Sequence, residues 1–303
     1  MSFWKDKKVV VTGGMGLMGT PMVAKLESLG AEVFVADLPR HDITNFGEMM
    51  SVMQGQDICI HLAAMSNVEQ SRSRALESLH LNIGGTINVL EACRQREVGT
   101  VVTASSNHVY GGPQNEYDGR PLDEHARLKQ LDVYSVSKIC ADYLTRSYWH
   151  NFGLKTSAMR NTNCFGPADP HISHIIPGTI QTILKNQTPI IQSSGEVKKG
   201  YLYVDDVVDA YLLVAEATYM GTVEPGLSFN VGASPISAKN LVRIIMDIMG
   251  QQDSMPTILD KPNDQVNENL DSSRIQALGW EPKYSLTEGL EKTIEFFRDR
   301  VAV

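Results

Sequence analysis

Apolar and polar positions follow two rhythms along this chain. Short apolar runs end in glycine or small polar residues, and longer stretches with helical periodicity follow them. Lys8–Thr12, with Val9, Val10 and Val11 at its centre, reads as a buried parallel strand. It leads into a glycine-rich turn and then an amphipathic helix to Leu29, capped by Gly30. Glu32–Ala36, Asp57–Leu62, Thr100–Ala104 and Lys155–Asn161 predict further strands. Helices are predicted from about Ala75 to Arg96 and from Tyr134 to about Asn151. Gln114–Leu131 is polar and rich in turn residues, which predicts a long loop over a site. After Pro167 the alternation loosens. Ile175–Lys185, Ser237–Met249, Asp271–Leu278 and Leu286–Arg300 read as helices. Ile190-Ile191, Tyr201–Val204 and Phe229–Gly232 read as strands, and a helix carrying Asp205, Asp206 and Asp209 follows the second of these.

Strands alternating with helices predict a doubly wound parallel sheet. The expected class is α/β: a Rossmann-type doubly wound parallel sheet with a smaller mixed α/β C-terminal substrate lobe. Residues 1–166, with return segments at about 200–232, would form the dinucleotide-binding domain. Residues 167–199 and 233–303 would form the lobe that closes over a substrate.

Composition narrows the partners. The chain has 303 residues, 42% hydrophobic and 20% charged, and a formal net charge of −8. That charge argues against nucleic acid or an anionic membrane as the main partner. No apolar run approaches the ~20 residues of a membrane span, and the first residues carry no signal-peptide core. Cys59, Cys93, Cys140 and Cys164 are scattered without metal-ligand spacing. Free thiols in a reducing cytoplasm, and no metal, are the expectation.

The chemistry is concentrated in a few stretches. Gly13, Gly16 and Gly19 stand between a strand and a helix, where glycine allows a tight turn and close approach of a pyrophosphate to the helix N-terminus. Asp37 ends the second strand, placed to accept hydrogen bonds from both ribose hydroxyls and to repel a 2′-phosphate; this favours NAD over NADP. A solvated strand-end carboxylate is the bland alternative. Asp42 and Ile43 follow in a loop that could meet the adenine, and Ala63 and Ala64 leave room for a flat ligand at a strand's carboxyl end. Tyr134 and Lys138 lie one helical turn apart on the same face. A neighbouring ammonium stabilises a phenolate, so the pair is expected to lower the tyrosine pKa and make a general base. Alone, the same spacing also describes two polar residues on a surface helix.

Together these pieces resemble the extended short-chain dehydrogenase/reductase family, specifically its nucleotide-sugar epimerases and dehydratases. The resemblance runs through Thr12–Gly19, Asp37, His61–Ala64, Ser105–Gly111, Tyr134–Lys138, Arg160–Pro167, Tyr201–Val207 and Phe229–Gly232. It implies Ser106, Tyr134 and Lys138 as the catalytic set, with Lys138 also binding the nicotinamide ribose. It implies an NAD site lined by Gly13, Gly16, Leu17, Met18 and Gly19, by Asp37, Asp42 and Ile43, and by Leu62, Ala63 and Ala64. Tyr134 and Lys138 would complete it. Asn163 resembles the residue that meets the nucleotide diphosphate. The implied reaction begins with proton removal by Tyr134 as hydride leaves a sugar carbon for NAD. A transient keto sugar then takes hydride back on the opposite face. A homodimer is implied too, with Ile87, Leu90, Ile139 and Leu144 facing either the sheet or a partner.

The chain departs from the family pattern in three places. Lys199, in Lys198-Lys199-Gly200, stands where an arginine often grips a phosphate, and Lys261, in Lys261-Pro262-Asn263-Asp264, stands where a second does. Both keep the positive charge but lose the bidentate fork. The 4,6-dehydratases place Asp-Glu after the catalytic hydroxyl residue; here Asn107 and His108 occupy those positions. Asn107 cannot act as an acid, whereas His108 can, or can simply pack in the loop. Asn107, His108, Asn163, Lys199 and Lys261 are therefore the expected substrate-binding residues. The leading expectation is an NAD-dependent nucleotide-sugar epimerase. A 4,6-dehydratase, a net sugar oxidoreductase and a non-enzymatic dinucleotide sensor are the alternatives.

Overall fold

A computed structural model describes residues 2–111, 120–262 and 267–301. The first half alternates β1 (Lys8–Thr12), α1 (Gly19–Ser28), β2 (Glu32–Ala36), α2 (Phe46–Val52) and β3 (Ile58–His61). Then come α3 (Val68–Ser73), α4 (Ala75–Leu79), α5 (Gly85–Gln95), β4 (Thr100–Ala104), α6 (Val133–Phe152) and β5 (Thr156–Asn161). The second half holds β6 (Asn163–Phe165), α7 (Ile175–Leu184), β7 (Ile190–Ile191), β8 (Lys198–Lys199), β9 (Tyr201–Tyr203) and α8 (Val204–Met220). It closes with β10 (Leu227–Val231), β11 (Ile236–Ser237), α9 (Ala238–Ile248), β12 (Thr257–Ile258), α10 (Ser273–Gln276) and α11 (Leu286–Val301).

Six strands form one sheet in the order β10-β5-β4-β3-β1-β2, every pair parallel. Strand β1 has β2 on one side and β3 on the other, so the crossover direction reverses there and a crevice opens beyond their carboxyl ends. Alternation along β1 explains the two-sided burial. Val9 and Val11 join Met22 and Leu26 of α1 and the apolar side of α8. Val10 joins Met49 of α2 and Val89, Leu90 and Cys93 of α5. A further core lies apart, where Ile176 and Ile180 of α7 meet Leu241 and Ile245 of α9 and Leu290 and Ile294 of α11.

Several expected boundaries need correction. The helix expected from Ala75 to Arg96 is interrupted by a π-helical turn at His80–Gly84. Asn82 causes the irregularity to be kept: its amide donates to Met65 O at 3.1 Å and to Ser137 Oγ at 2.9 Å, and its Oδ1 accepts from Met65 N at 2.8 Å. Val204 does not end a strand but starts α8. The helices α2 and α3 were not expected, although Asn45 and Asn67 cap them by accepting from Glu48 N and Gln70 N. Of the loop expected over Gln114–Leu131, residues 114–119 lie outside the described residues, as do Asn263 and Asp264. No helix among the described residues is long and apolar enough to cross a membrane.

Candidate active site

A cavity of about 1520 Å³ follows the carboxyl ends of β1 to β5 and continues towards α7. Every residue expected to be catalytic, to bind cofactor or to bind substrate lines it, from Gly13 at one end to Lys261 at the other.

The cofactor end is built on the turn after β1. Gly13 has φ +70, and a Cβ there would sit 2.7 Å from Ala63 N. A Cβ on Gly19 would stand 2.1 Å from Gly13 O, so the start of α1 packs directly on the turn. Gly16 faces the cavity, where a Cβ would meet only Gly13 O at 3.4 Å. Helix α1 begins with no side-chain cap and no acid in its first turn, a setting open to an anion, although Thr20 N is already bonded to Gly16 O at 3.0 Å. Leu17 and Met18 complete the turn along the wall. Asp37 closes this end: Oδ2 accepts from Met15 N and Oδ1 from Leu38 N, both at 2.8 Å. Asp42 is held by Thr44, whose N–H and hydroxyl both donate to Oδ1 at 2.8 Å. Ile43 is buried against Gly85 and still reaches the cavity wall, as do Leu62, Ala63 and Ala64 beyond β3. Ser105, on the same wall, has a buried hydroxyl without a hydrogen-bond partner among the described residues. A polar planar group with donors and acceptors fits this lining, and a dinucleotide supplies one.

The catalytic end gathers Ser106, Tyr134 and Lys138. Ser106 accepts from His108 N at 3.1 Å and donates to Asn107 Oδ1 at 3.3 Å. Tyr134 and Lys138 project from α6, whose first turn is capped by Asp132 accepting from Ser135 N at 3.0 Å. Both side chains are buried. The Lys138 ammonium donates to Ala104 O at 2.9 Å. Burial lowers the Lys138 pKa to about 8. The expectation for Tyr134 needs correction. Burial pushes its phenol above the ordinary value; the hydrogen bond to Ser106 pulls the other way, and the Asp132 and Glu268 carboxylates add to the rise. The Lys138 ammonium is turned to the Ala104 carbonyl, and no charge pairing with it offsets the desolvation of the phenol.

The substrate end is more crowded than the sequence implies. His108 stands edge-on to Tyr134, ring centroids 5.8 Å apart at 80°. Burial lowers its pKa, opposed by Glu268, with Lys199 lowering it and Asp132 raising it. Asn163 donates to Gly200 O at 3.0 Å. Lys261 donates to Gln192 Oε1 at 2.9 Å. Lys199, expected as a cation for phosphate, pairs with Glu268 at 3.3 Å, so its charge is compensated locally. Sequence reading missed Glu268, which lies 161 positions from its partner Asn107.

Parallel topology, a glycine turn at the switch point and a Ser-Tyr-Lys set at the far end of one cavity define a dinucleotide-dependent enzyme of the extended short-chain dehydrogenase/reductase type. The model of the NAD dependent epimerase/dehydratase family matches residues 9–232, and the chain belongs to that family. NAD is its cofactor. The chain is 26% identical to the mouse dTDP-D-glucose 4,6-dehydratase over 96% of its own length and 89% of the relative's. A solved UDP-glucose 4-epimerase from Thermotoga maritima with UDP-glucose superposes with TM-score 0.88, at 27% identity, covering 97% of this chain and 99% of that one. A solved dTDP-glucose 4,6-dehydratase from Streptomyces venezuelae with NAD bound gives TM-score 0.88 at 26% identity, covering 97% and 98%.

Proposed function

We propose that this enzyme is an NAD-dependent nucleotide-sugar epimerase that works through a transient keto sugar. NAD supplies the hydride acceptor and donor. Ser106 orients the sugar hydroxyl, Tyr134 takes its proton, and Lys138 holds the cofactor's ribose and adds positive charge beside the phenol. The observation that carries the choice of epimerase is Asn107: the position directly after Ser106 holds a buried amide bonded to Ser106 and Glu268, and an amide cannot protonate a leaving hydroxyl. The turn after β1 would take the pyrophosphate, Asp37 the adenosine ribose, and Asn163, Lys199 and Lys261 the nucleotide-sugar side. Likeness to enzymes of UDP- and dTDP-glucose supports a nucleoside-diphosphate sugar as substrate.

One observation favours a second reading. His108 lines the cavity beside Tyr134, and an imidazole can serve as the acid of a 4,6-dehydratase. Incubation with NAD and UDP-glucose or dTDP-glucose, read by mass and NMR, separates the two. An inverted centre at unchanged mass supports the epimerase. Loss of water establishes the dehydratase, and no turnover on a wide panel of sugar nucleotides overturns both.

The same reading carries a homodimer in the cytoplasm. Ile87 of α5 and Tyr143 of α6 are exposed apolar positions, 40% and 54%, on the two helices expected to pair. Four free cysteines, two of them buried, suit a reducing compartment. Sedimentation at micromolar concentration showing only monomer would remove the dimer.

A further inference from the structure

Glu268 lies in a segment that crosses back over the catalytic loop. Its N–H donates to Lys198 O at 2.9 Å, and Lys198 N donates to Asn267 Oδ1 at 2.8 Å. Two residues on, Leu270 bridges to Leu122. The carboxylate is thereby fixed, its side chain 13% exposed, where three cavity-lining residues meet. Asn107 Nδ2 donates to its Oε2. Lys199 Nζ stands 3.3 Å and His108 Nε2 3.8 Å from Oε1.

We infer that Glu268 is a positioning residue of the active site: it fixes the Asn107 amide, through it the direction of the Ser106 hydroxyl, and it holds Lys199 and His108 at the substrate end. The inference rests on the reading of this site as one that oxidises a sugar hydroxyl. A carboxylate only accepts, so the Asn107 NH₂ must face it and Asn107 Oδ1 must face Ser106. Ser106 Oγ already accepts from His108 N, so its own proton goes to that Oδ1 at 3.3 Å. Glu268 has a second effect through charge. The His108 imidazole is faced by Glu268, Lys199 and Asp132, with the Tyr134 ring against its edge. Lys199 and Glu268, paired at 3.3 Å, offset each other's charge beside the His108 ring. Such a cluster suits an uncharged sugar ring better than a diphosphate.

The test uses the full chain with Glu268→Gln, Glu268→Asp and Glu268→Ala. The first readout needs no substrate: the His108 imidazole titration by NMR, its signal assigned by its loss in His108→Gln. Removing the carboxylate leaves Lys199 facing the ring, so the midpoint moves to lower pH in the Gln and Ala variants and is kept in the Asp variant. The second readout is turnover of UDP-glucose or dTDP-glucose, whichever wild type converts. Loss of roughly tenfold or more in kcat for Glu268→Ala is expected, with NAD affinity unchanged and partial recovery in Glu268→Asp. An unmoved His108 midpoint in the folded Gln and Ala variants overturns the inference, and so does wild-type kcat in both. If wild type turns over no member of a wide panel of sugar nucleotides, the functional reading fails while the titration still decides the contacts of Glu268.

Discussion

The Lys138 ammonium donates to the carbonyl of Ala104 at 2.9 Å, at the end of β4, one residue before Ser105. That bond ties the catalytic helix α6 to the strand that delivers Ser106. It also buries a cation that burial drives down to a pKa of about 8. The arrangement holds a charge in readiness at a cost in stability, the usual condition of a functional lysine.

The first prediction follows from that cost. A lysine titrating at about 8 in the fold and near 10.5 unfolded binds its proton more weakly when folded. The Lys138 contribution to stability therefore rises with pH between about 8 and 10.5, and its whole penalty applies below 8. The gap corresponds to roughly 3 kcal/mol, and leaving Ala104 O without its donor returns roughly 1–3. Lys138→Met should thus be no less stable than wild type at pH 7 while losing activity. Buried thiols and phenols such as Cys93 and Tyr110, pushed up by burial, lower stability as pH rises in both proteins, so urea unfolding across this range should give wild type a slope more positive than the variant's, by up to about 1.4 kcal/mol per pH unit. Parallel slopes in the two proteins would mean that Lys138 titrates normally.

Tyr134 gives the second. Its folded phenol titrates above the ordinary 10.0 in the free chain. The tyrosinate absorbance that disappears in Tyr134→Phe should therefore arise only above that pH. Saturation with NAD, whose nicotinamide is cationic, should move the same component to lower pH. A Tyr134 component below pH 10 in cofactor-free protein would contradict the burial argument.

Much of this site was readable because its determinants are local. The valines of β1, the glycines after it and the one-turn spacing of Tyr134 and Lys138 each act within a few residues. What the sequence did not disclose depends on distant partners. The π-turn at His80–Gly84 is kept by Asn82 reaching Met65 and Ser137. The sign of the Tyr134 shift depends on how deeply the phenol is buried, which no spacing reveals. Lys199 read as a phosphate cation because its neutralising carboxylate sits 69 positions later, in no motif. The helix α2 was a different kind of omission, since Asn45 and Glu48 carry a capping signal in plain view.

Asp37 gives the third prediction. Its carboxylate lines the cofactor end while tied to Met15 N and Leu38 N, so its position is fixed before any ribose arrives. Asp37→Ala should weaken NAD by roughly 10–100-fold, the loss of a charged hydrogen bond, and weaken NADP much less. Fluorescence titration of both cofactors measures the two changes. Tighter binding of NADP than NAD by wild type would remove this role.

The last prediction concerns His61, buried at the end of β3 between two threonines. Its Nδ1 lies 2.7 Å from Thr12 Oγ1 and its Nε2 3.0 Å from Thr86 Oγ1, so both ring nitrogens are engaged with hydroxyls. Burial, aided by the charge of Lys138, lowers its pKa from 6.5 to about 3. Unfolded, the ring takes a proton near 6.5; folded, it refuses one until about 3. The unfolded state thus binds more protons throughout that interval, and stability must fall as pH falls through it. The full gap is worth roughly 4–5 kcal/mol, a large part of a domain's stability. His61→Gln keeps polar atoms near both threonines but cannot titrate. It should be less stable than wild type at pH 7, because an amide fits the ring's space imperfectly. Between pH 4 and 6 its stability should fall less steeply, by about 1.4 kcal/mol per pH unit, the slope of one proton. Denaturant unfolding of both proteins at several pH values measures the two slopes directly. Parallel slopes would show that His61 is protonated in the fold, and the neutral ring between Thr12 and Thr86 would be wrong.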